Sequence, residues 1–183
     1  MSWILLIFGI ALWWAAHLFK RIAPNTRAAL GTTGWRLVAV AVLISVALMT
    51  LGFRATPFVH VWSPPAYLTH ANNLLVLVAI FFFTPAAKRG VILNGVRHPM
   101  LTGFALWAVA HLLVNGDLAS ILLFGGLLLW VPVSKLATNR AEGPWVARPR
   151  GTIIWDGAFL LASVIALWVV GQIHTWLGYS PFG

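Results

Sequence analysis

Six stretches of this chain run apolar for nearly the length needed to cross a bilayer. They extend from Ser2 to Phe19, Leu37 to Phe53, Ala66 to Ala87, Pro99 to Val114, Leu118 to Ser134, and Gly157 to Gly178. A spanning helix needs about 20 mostly apolar residues for a hydrocarbon core of roughly 30 Å. The pattern therefore predicts an all-α chain, a polytopic transmembrane helix bundle of about six spans. The fourth and fifth stretches are the shortest and are joined by Asn115-Gly116-Asp117. That turn reads as a helical hairpin with Asp117 capping the fifth span. No internal repeat, low-complexity tract or long linker interrupts the series, so residues 1–183 read as a single integral membrane domain. In the last long loop, Asn139-Arg140-Ala141-Glu142-Gly143-Pro144 reads as polar turns, with Glu142 as a surface ion-pair partner.

Composition supports this picture. Of the 183 residues 61% are hydrophobic and only 8% are charged, against about a quarter charged in ordinary soluble domains. Too little polar surface remains to cover a soluble exterior. The formal net charge of +9 resides in short clusters between apolar stretches, which fits lipid headgroups and topology signals better than a continuous phosphate track, and so excludes nucleic acid as a partner. Lys20, Arg21, Arg27 and Arg36 fall in the first loop, Lys88, Arg89 and Arg97 in the third, and Lys135, Arg140, Arg148 and Arg150 in the fifth; the second holds only Arg54. By the positive-inside rule the basic loops are cytoplasmic and both termini face outward. The first nineteen residues carry no charge, which reads as a retained first span. With no cysteine, thiolate metal sites, iron-sulfur clusters and covalent haem attachment are excluded.

Polar side chains inside spans are costly and usually have a reason. His17 lies near the inner end of the first span, His98 at the inner start of the fourth, and His111 toward the outer end of that same span. His70 begins the third span on the outer side, beside Asn72 and Asn73. A lone membrane histidine is more often a hydrogen-bond partner or interfacial anchor than a ligand, and His60 and His174 keep that reading. Arg97 and His98 suit the headgroup level while Pro99 opens the helix. His111 is the strongest ligand candidate, because Asn115 and Asp117 follow on the next turn and could orient its imidazole. His70, Asn72, Asn73 and His111 form an expected outer polar cluster that reads equally well as a site or as packing. Trp62, Trp130 and Trp176 suit interfacial belts, whereas Trp13, Trp14 and Trp107 lie deeper.

The run Arg97-His98-Pro99-Met100-Leu101-Thr102-Gly103, then Leu106-Trp107-Ala108-Val109-Ala110-His111-Leu112 and Asn115-Gly116-Asp117, resembles the central signature of the NnrU family. Its best understood relatives are the haem-binding 15-cis-zeta-carotene isomerases, and the 13-residue spacing of His98 and His111 is similar to theirs. His17 with Arg27, Gly31 and Arg36 resembles the family's first helix and the basic loop after it, so the likeness covers nearly the whole chain. The resemblance implies a bacterial inner-membrane protein in which His17 and His111 ligate a noncovalent haem b and a lipophilic polyene is the substrate of a cis-trans isomerisation. Other members are associated with nitrite and nitric oxide metabolism in denitrifying bacteria, implying an accessory role with membrane partner proteins. On the expected topology His17 lies about 22 Å and His111 about 6 Å below the outer end of its helix, so His70 stands as the geometric substitute for His17.

Two further readings stay open. Arg-His-Pro-x-x-x-Gly is also similar to S-adenosylmethionine-dependent membrane methyltransferases of the isoprenylcysteine type. Those enzymes follow the motif with paired acids, where this chain keeps Arg140 and a single Glu142. The other reading is a noncatalytic membrane assembly subunit whose histidines serve packing.

Overall fold

The computed structural model describes residues 1–182 and contains, among them, eight helices and no strand. These are α1 (Ser2–Ile22), α2 (Pro24–Ala29), α3 (Gly31–Ala55), α4 (Leu68–Phe83), α5 (Ala86–Arg89), α6 (Pro99–Val114), α7 (Leu118–Glu142) and α8 (Ile153–Trp176). Four of them, α1, α3, α7 and α8, are long and apolar enough to cross a membrane. At 1.5 Å per residue they extend about 31 to 38 Å.

The expected third and fourth spans are apolar but shorter. Both α4 and α6 have 16 residues, about 24 Å. The third was expected to run on to Ala87. It stops at Phe83 because Pro85 forces the residue before it, Thr84, into an extended conformation, with φ −76° and ψ 167°. The Thr84 hydroxyl then donates to the Phe81 carbonyl at 2.7 Å and closes the end. The fourth span has the expected bounds, opening on Pro99 and closing at Asn115. The expected polar turn at 139–144 is a correction: α7 continues as helix to Glu142, and the turn begins only at Gly143, whose φ of 69° favours glycine.

The chain divides into two compact units. The first comprises Met1–Ser63 and Gly116–Gly143 and holds α1, α2, α3 and α7. Here α1 packs on α3 and on α7, and glycines set the spacing. A Cβ added to Gly9 would lie 2.8 Å from Met49 Cγ, and one on Gly52 would strike the Leu6 backbone. Small residues replace the missing hydrophobic drive between helices by allowing close van der Waals contact. The Trp14 indole donates to the Gly126 carbonyl at 3.0 Å, tying α1 to α7. The segment after α3 folds onto the start of α7, with Leu118 N–H donating to the Val59 carbonyl at 2.8 Å and Val61 N–H to the Gly116 carbonyl at 2.8 Å.

The second unit comprises Pro64–Asn115 and residues 144–182 and holds α4, α5, α6 and α8. In it α4 packs on α6 and α8, and α5 on α8. Gly103 lets α6 approach the α4 backbone: a Cβ there would sit 2.8 Å from both the Ala79 carbonyl oxygen and Phe82 Cβ. Of the two helices flanking the Asn115-Gly116-Asp117 turn, α6 belongs to this unit and packs on α4, whereas α7 belongs to the first unit and packs on α1.

Both units leave large apolar side chains uncovered. Ile4, Leu43, Leu129, Leu161 and Trp168 are all at least 60% exposed. Exposure on this scale across whole helix faces exceeds the scattered apolar surface of a soluble monomer.

Candidate functional site

In the first unit His17 occupies the last third of α1, one helical turn after Trp13. Its Nδ1 lies 2.9 Å from the Trp13 carbonyl oxygen. A carbonyl can only accept, so Nδ1 carries the proton and, in the neutral ring, Nε2 carries the lone pair. This is the arrangement that presents an imidazole to a metal, with the remote nitrogen anchored and the near one open for donation. Two indoles hold the ring from the sides. The Trp13 ring lies 4.0 Å away, tilted by 34°, and the Trp130 ring approaches edge-on at 5.0 Å. Trp130 is 5% exposed. It forms an aromatic triad with Trp13 and His17.

The second unit holds His70, Asn72, Asn73, Arg97, His98, His111 and Asn115. Asn72 is buried on the α4 face toward α6, and its amide, with the nitrogen turned to the Ala110 carbonyl, spans 3.0 Å to the residue before His111. Asn73 donates to the Pro181 carbonyl at 2.9 Å. The His111 ring meets the Trp107 indole edge-on at 5.1 Å. His70 is exposed on the first turn of α4. Asn115 and Asp117 were expected to steer the His111 imidazole. Instead the Asn115 amide donates to the backbone carbonyl of His111 at 2.8 Å, which closes the end of α6. Asp117 lies in the first unit and caps α7 as expected, accepting from Ser120 N–H at 2.9 Å and from the Ser120 hydroxyl at 2.5 Å. His60 keeps its plain polar role, 2.9 Å from the Ser63 hydroxyl. His174 has Nδ1 2.8 Å from the Val170 carbonyl.

His17 on one side and His70 and His111 on the other therefore fall in separate units, each with its own aromatic or amide neighbours. Among the described residues no group of three or more His, Asp or Glu side chains could hold a metal ion.

Sequence reasoning passed over Asp156, which precedes the expected start of the last span by one residue. It is 2% exposed and sits in the first turn of α8. Its Oδ2 accepts from Val91 N–H at 2.6 Å, and Gly90 packs against the carboxylate too closely to admit a Cβ. Beside it, Gly151 N–H donates to the Gly90 carbonyl and Thr152 N–H to the Arg89 carbonyl, both at 3.0 Å. The signal was present, because Asp156 is one of only three acids in the chain. The other two are also accounted for: Asp117 caps α7, and the Glu142 carboxylate meets Arg21 at 2.7 Å in a partly exposed ion pair, as expected for a surface partner.

A comparison with protein-family models matches the family described as NnrU protein over residues 5–181. Neither a search of curated proteins nor one of solved structures gives a match.

Proposed function

The chain belongs to the NnrU family, and from that premise we propose that it is a multi-pass protein of the bacterial inner membrane that holds haem b through His17 and acts on a lipophilic polyene as a cis-trans isomerase. In this topology α4 and α6 also lie within the bilayer, making six membrane segments in all. The loops rich in Lys and Arg are cytoplasmic and both termini face outward. Exposed apolar helix faces admit a polyene from the lipid without an aqueous step.

The observation that carries the proposal is the anchored tautomer of His17. The Trp13 carbonyl holds Nδ1–H at 2.9 Å, so in the neutral ring the lone pair sits on Nε2. Trp130, itself buried, meets the imidazole edge-on at 5.0 Å. When bound, haem would supply a redox-poised iron able to share electron density with one double bond and lower its rotation barrier. The chain's own part is to fix the ligand, exclude water and present an apolar wall. The methyltransferase reading draws less support, because this chain keeps Arg140 and a single Glu142 where those enzymes follow the motif with paired acids.

The test is the visible spectrum of the detergent-purified protein from haem-replete cells, oxidised and reduced. The expected result is a Soret band that His17→Ala abolishes or displaces, with His111→Ala and His70→Ala read in the same way for a second ligand. A wild-type protein with no Soret band, or a band that His17→Ala leaves unchanged, overturns the assignment.

A further inference from the structure

The contacts that hold His17 come from two helices. Two of them travel with α1 itself: the bond from Nδ1–H to the Trp13 carbonyl at 2.9 Å, and the Trp13 ring, 4.0 Å away and tilted by 34°. Both span one helical turn, so any helix carrying Trp-x-x-x-His can make them. They leave the plane of the imidazole soft. The outer torsion of a histidine side chain is broad, and a hydrogen bond keeps most of its strength through about 30° of departure from a straight line.

The third contact belongs to α7, which lies in the same unit as α1. Trp130 meets the imidazole at 5.0 Å with the ring planes 71° apart, and meets Trp13 at 5.6 Å and 75°. Aromatic pairs of this T-shaped kind prefer one relative orientation, so the Trp130 ring sets an angle for the imidazole that α1 alone does not. The place of Trp130 is set in turn by the seam between the two helices. The Trp14 indole donates to the Gly126 carbonyl at 3.0 Å, and a Cβ added to Gly126 would lie 3.0 Å from Ile10 Cγ2. Ile10, Trp14 and His17 follow one another along one face of α1, and Trp130 lies one turn beyond Gly126 on α7. The register of α1 on α7 is therefore fixed one turn before the two rings meet. At 5% exposure, Trp130 is closely packed in the orientation it holds.

We propose that Trp130 is a positioning residue for His17: from α7 it sets the plane of the imidazole, and with it the direction in which Nε2 offers its lone pair. The role rests on the reading of His17 as an iron ligand, because a metal bonds to an imidazole along that lone pair and the residues that fix the ring tune the ligand. Trp13 anchors one end of the ring through its carbonyl, and Trp130 removes the freedom that remains. Trp130 acts through His17 and touches neither metal nor substrate in this assignment.

The experiment records nitrogen NMR spectra of the full chain in detergent, prepared without haem and with isotope-labelled histidine rings, at a pH that keeps the rings neutral. The His17 signals are identified by their loss in His17→Ala. Wild type is expected to show His17 as one tautomer, protonated at Nδ1, with its two ring signals well separated. Trp130→Leu, which removes the aromatic partner, should draw the two signals toward each other as the ring samples both tautomers. Trp130→Phe, which keeps an aromatic ring, should restore most of the separation. Trp14→Phe removes the donor to Gly126 and should shift the signals in the same direction as Trp130→Leu, so the seam is tested even if Trp130→Leu folds poorly. Trp168→Leu, at an exposed site on α8, should leave them at their wild-type positions. His17 signals that stay in place in both Trp130→Leu and Trp14→Phe, or that move as far in Trp130→Phe or Trp168→Leu, overturn the proposal. The Soret band of protein from haem-replete cells is read separately: its absence from wild type defeats haem binding, whereas unmoved nitrogen signals beside a normal band defeat only the role of Trp130.

Discussion

Replacing Gly103 by alanine tests how α6, which is capped by His98 and carries His111, is seated. In an isolated helix the change should stabilise, because glycine in a helix interior is about 1 kcal/mol less favourable than alanine. In this protein the new Cβ would lie 2.8 Å from the Ala79 carbonyl oxygen and from Phe82 Cβ, whereas ordinary contact begins at 3.4 Å. The α4 backbone would have to retreat by about 0.6 Å, enough to forfeit a quarter or more of each dispersion contact along the α4 and α6 seam. Overpacking of this kind costs about 1 to 3 kcal/mol. Offset by the helical gain, the net loss should be about 1 kcal/mol, or a drop of about 2 to 4 °C in melting temperature. Gly125→Ala is the control, since nothing lies within 4 Å of its added Cβ and only the gain should remain. Thermal unfolding of both variants in one detergent, followed by tryptophan fluorescence, cancels the propensity common to them. If Gly103→Ala melts as high as wild type, or the two variants shift together, the close seating of α6 on α4 is wrong.

Other outcomes follow from single contacts. Asp117→Ala removes the side chain that caps α7 and should cost about 0.5 to 2 kcal/mol, measured in the same melts, with Asp117→Asn retaining most of the stability. Asp156→Ala leaves the part-buried Val91 N–H without its acceptor and should cost about 1 to 3 kcal/mol. It should also quicken proteolysis within residues 84–98 and 144–152, the segments it fastens, so an unchanged digestion pattern would count against that role.

Much of the site was legible because a few residues act through local rules. Pro99 and the Asn115-Gly116-Asp117 turn bounded α6 without reference to the rest of the chain, and Asp117 announced its cap by chemistry alone. The tautomer of His17 follows from a carbonyl one turn earlier on the same helix, yet nothing in the order of residues said that Trp130 would close over that ring. Asp156 went unnoticed for a related reason. Its partner, Val91, is 65 residues away, and a carboxylate at a span boundary looks like any solvated headgroup residue until that partner is seen.

The amino-acid sequence by itself determined that the chain is helical and apolar, where its longest helices run, how its cations cluster and to which family it belongs. Length of apolar run, proline, capping and motif spacing are properties of neighbours along the chain, so they survive without coordinates. Only the tertiary structure decided which helices pair, α4 with α6 and α1 with α3 and α7, and that Asp156 would hold Val91 N–H. Where every face of a helix is apolar, hydrophobic periodicity no longer marks the buried side. Pairing is then chosen by shape: by glycines such as Gly9, Gly52 and Gly103 that let particular backbones meet.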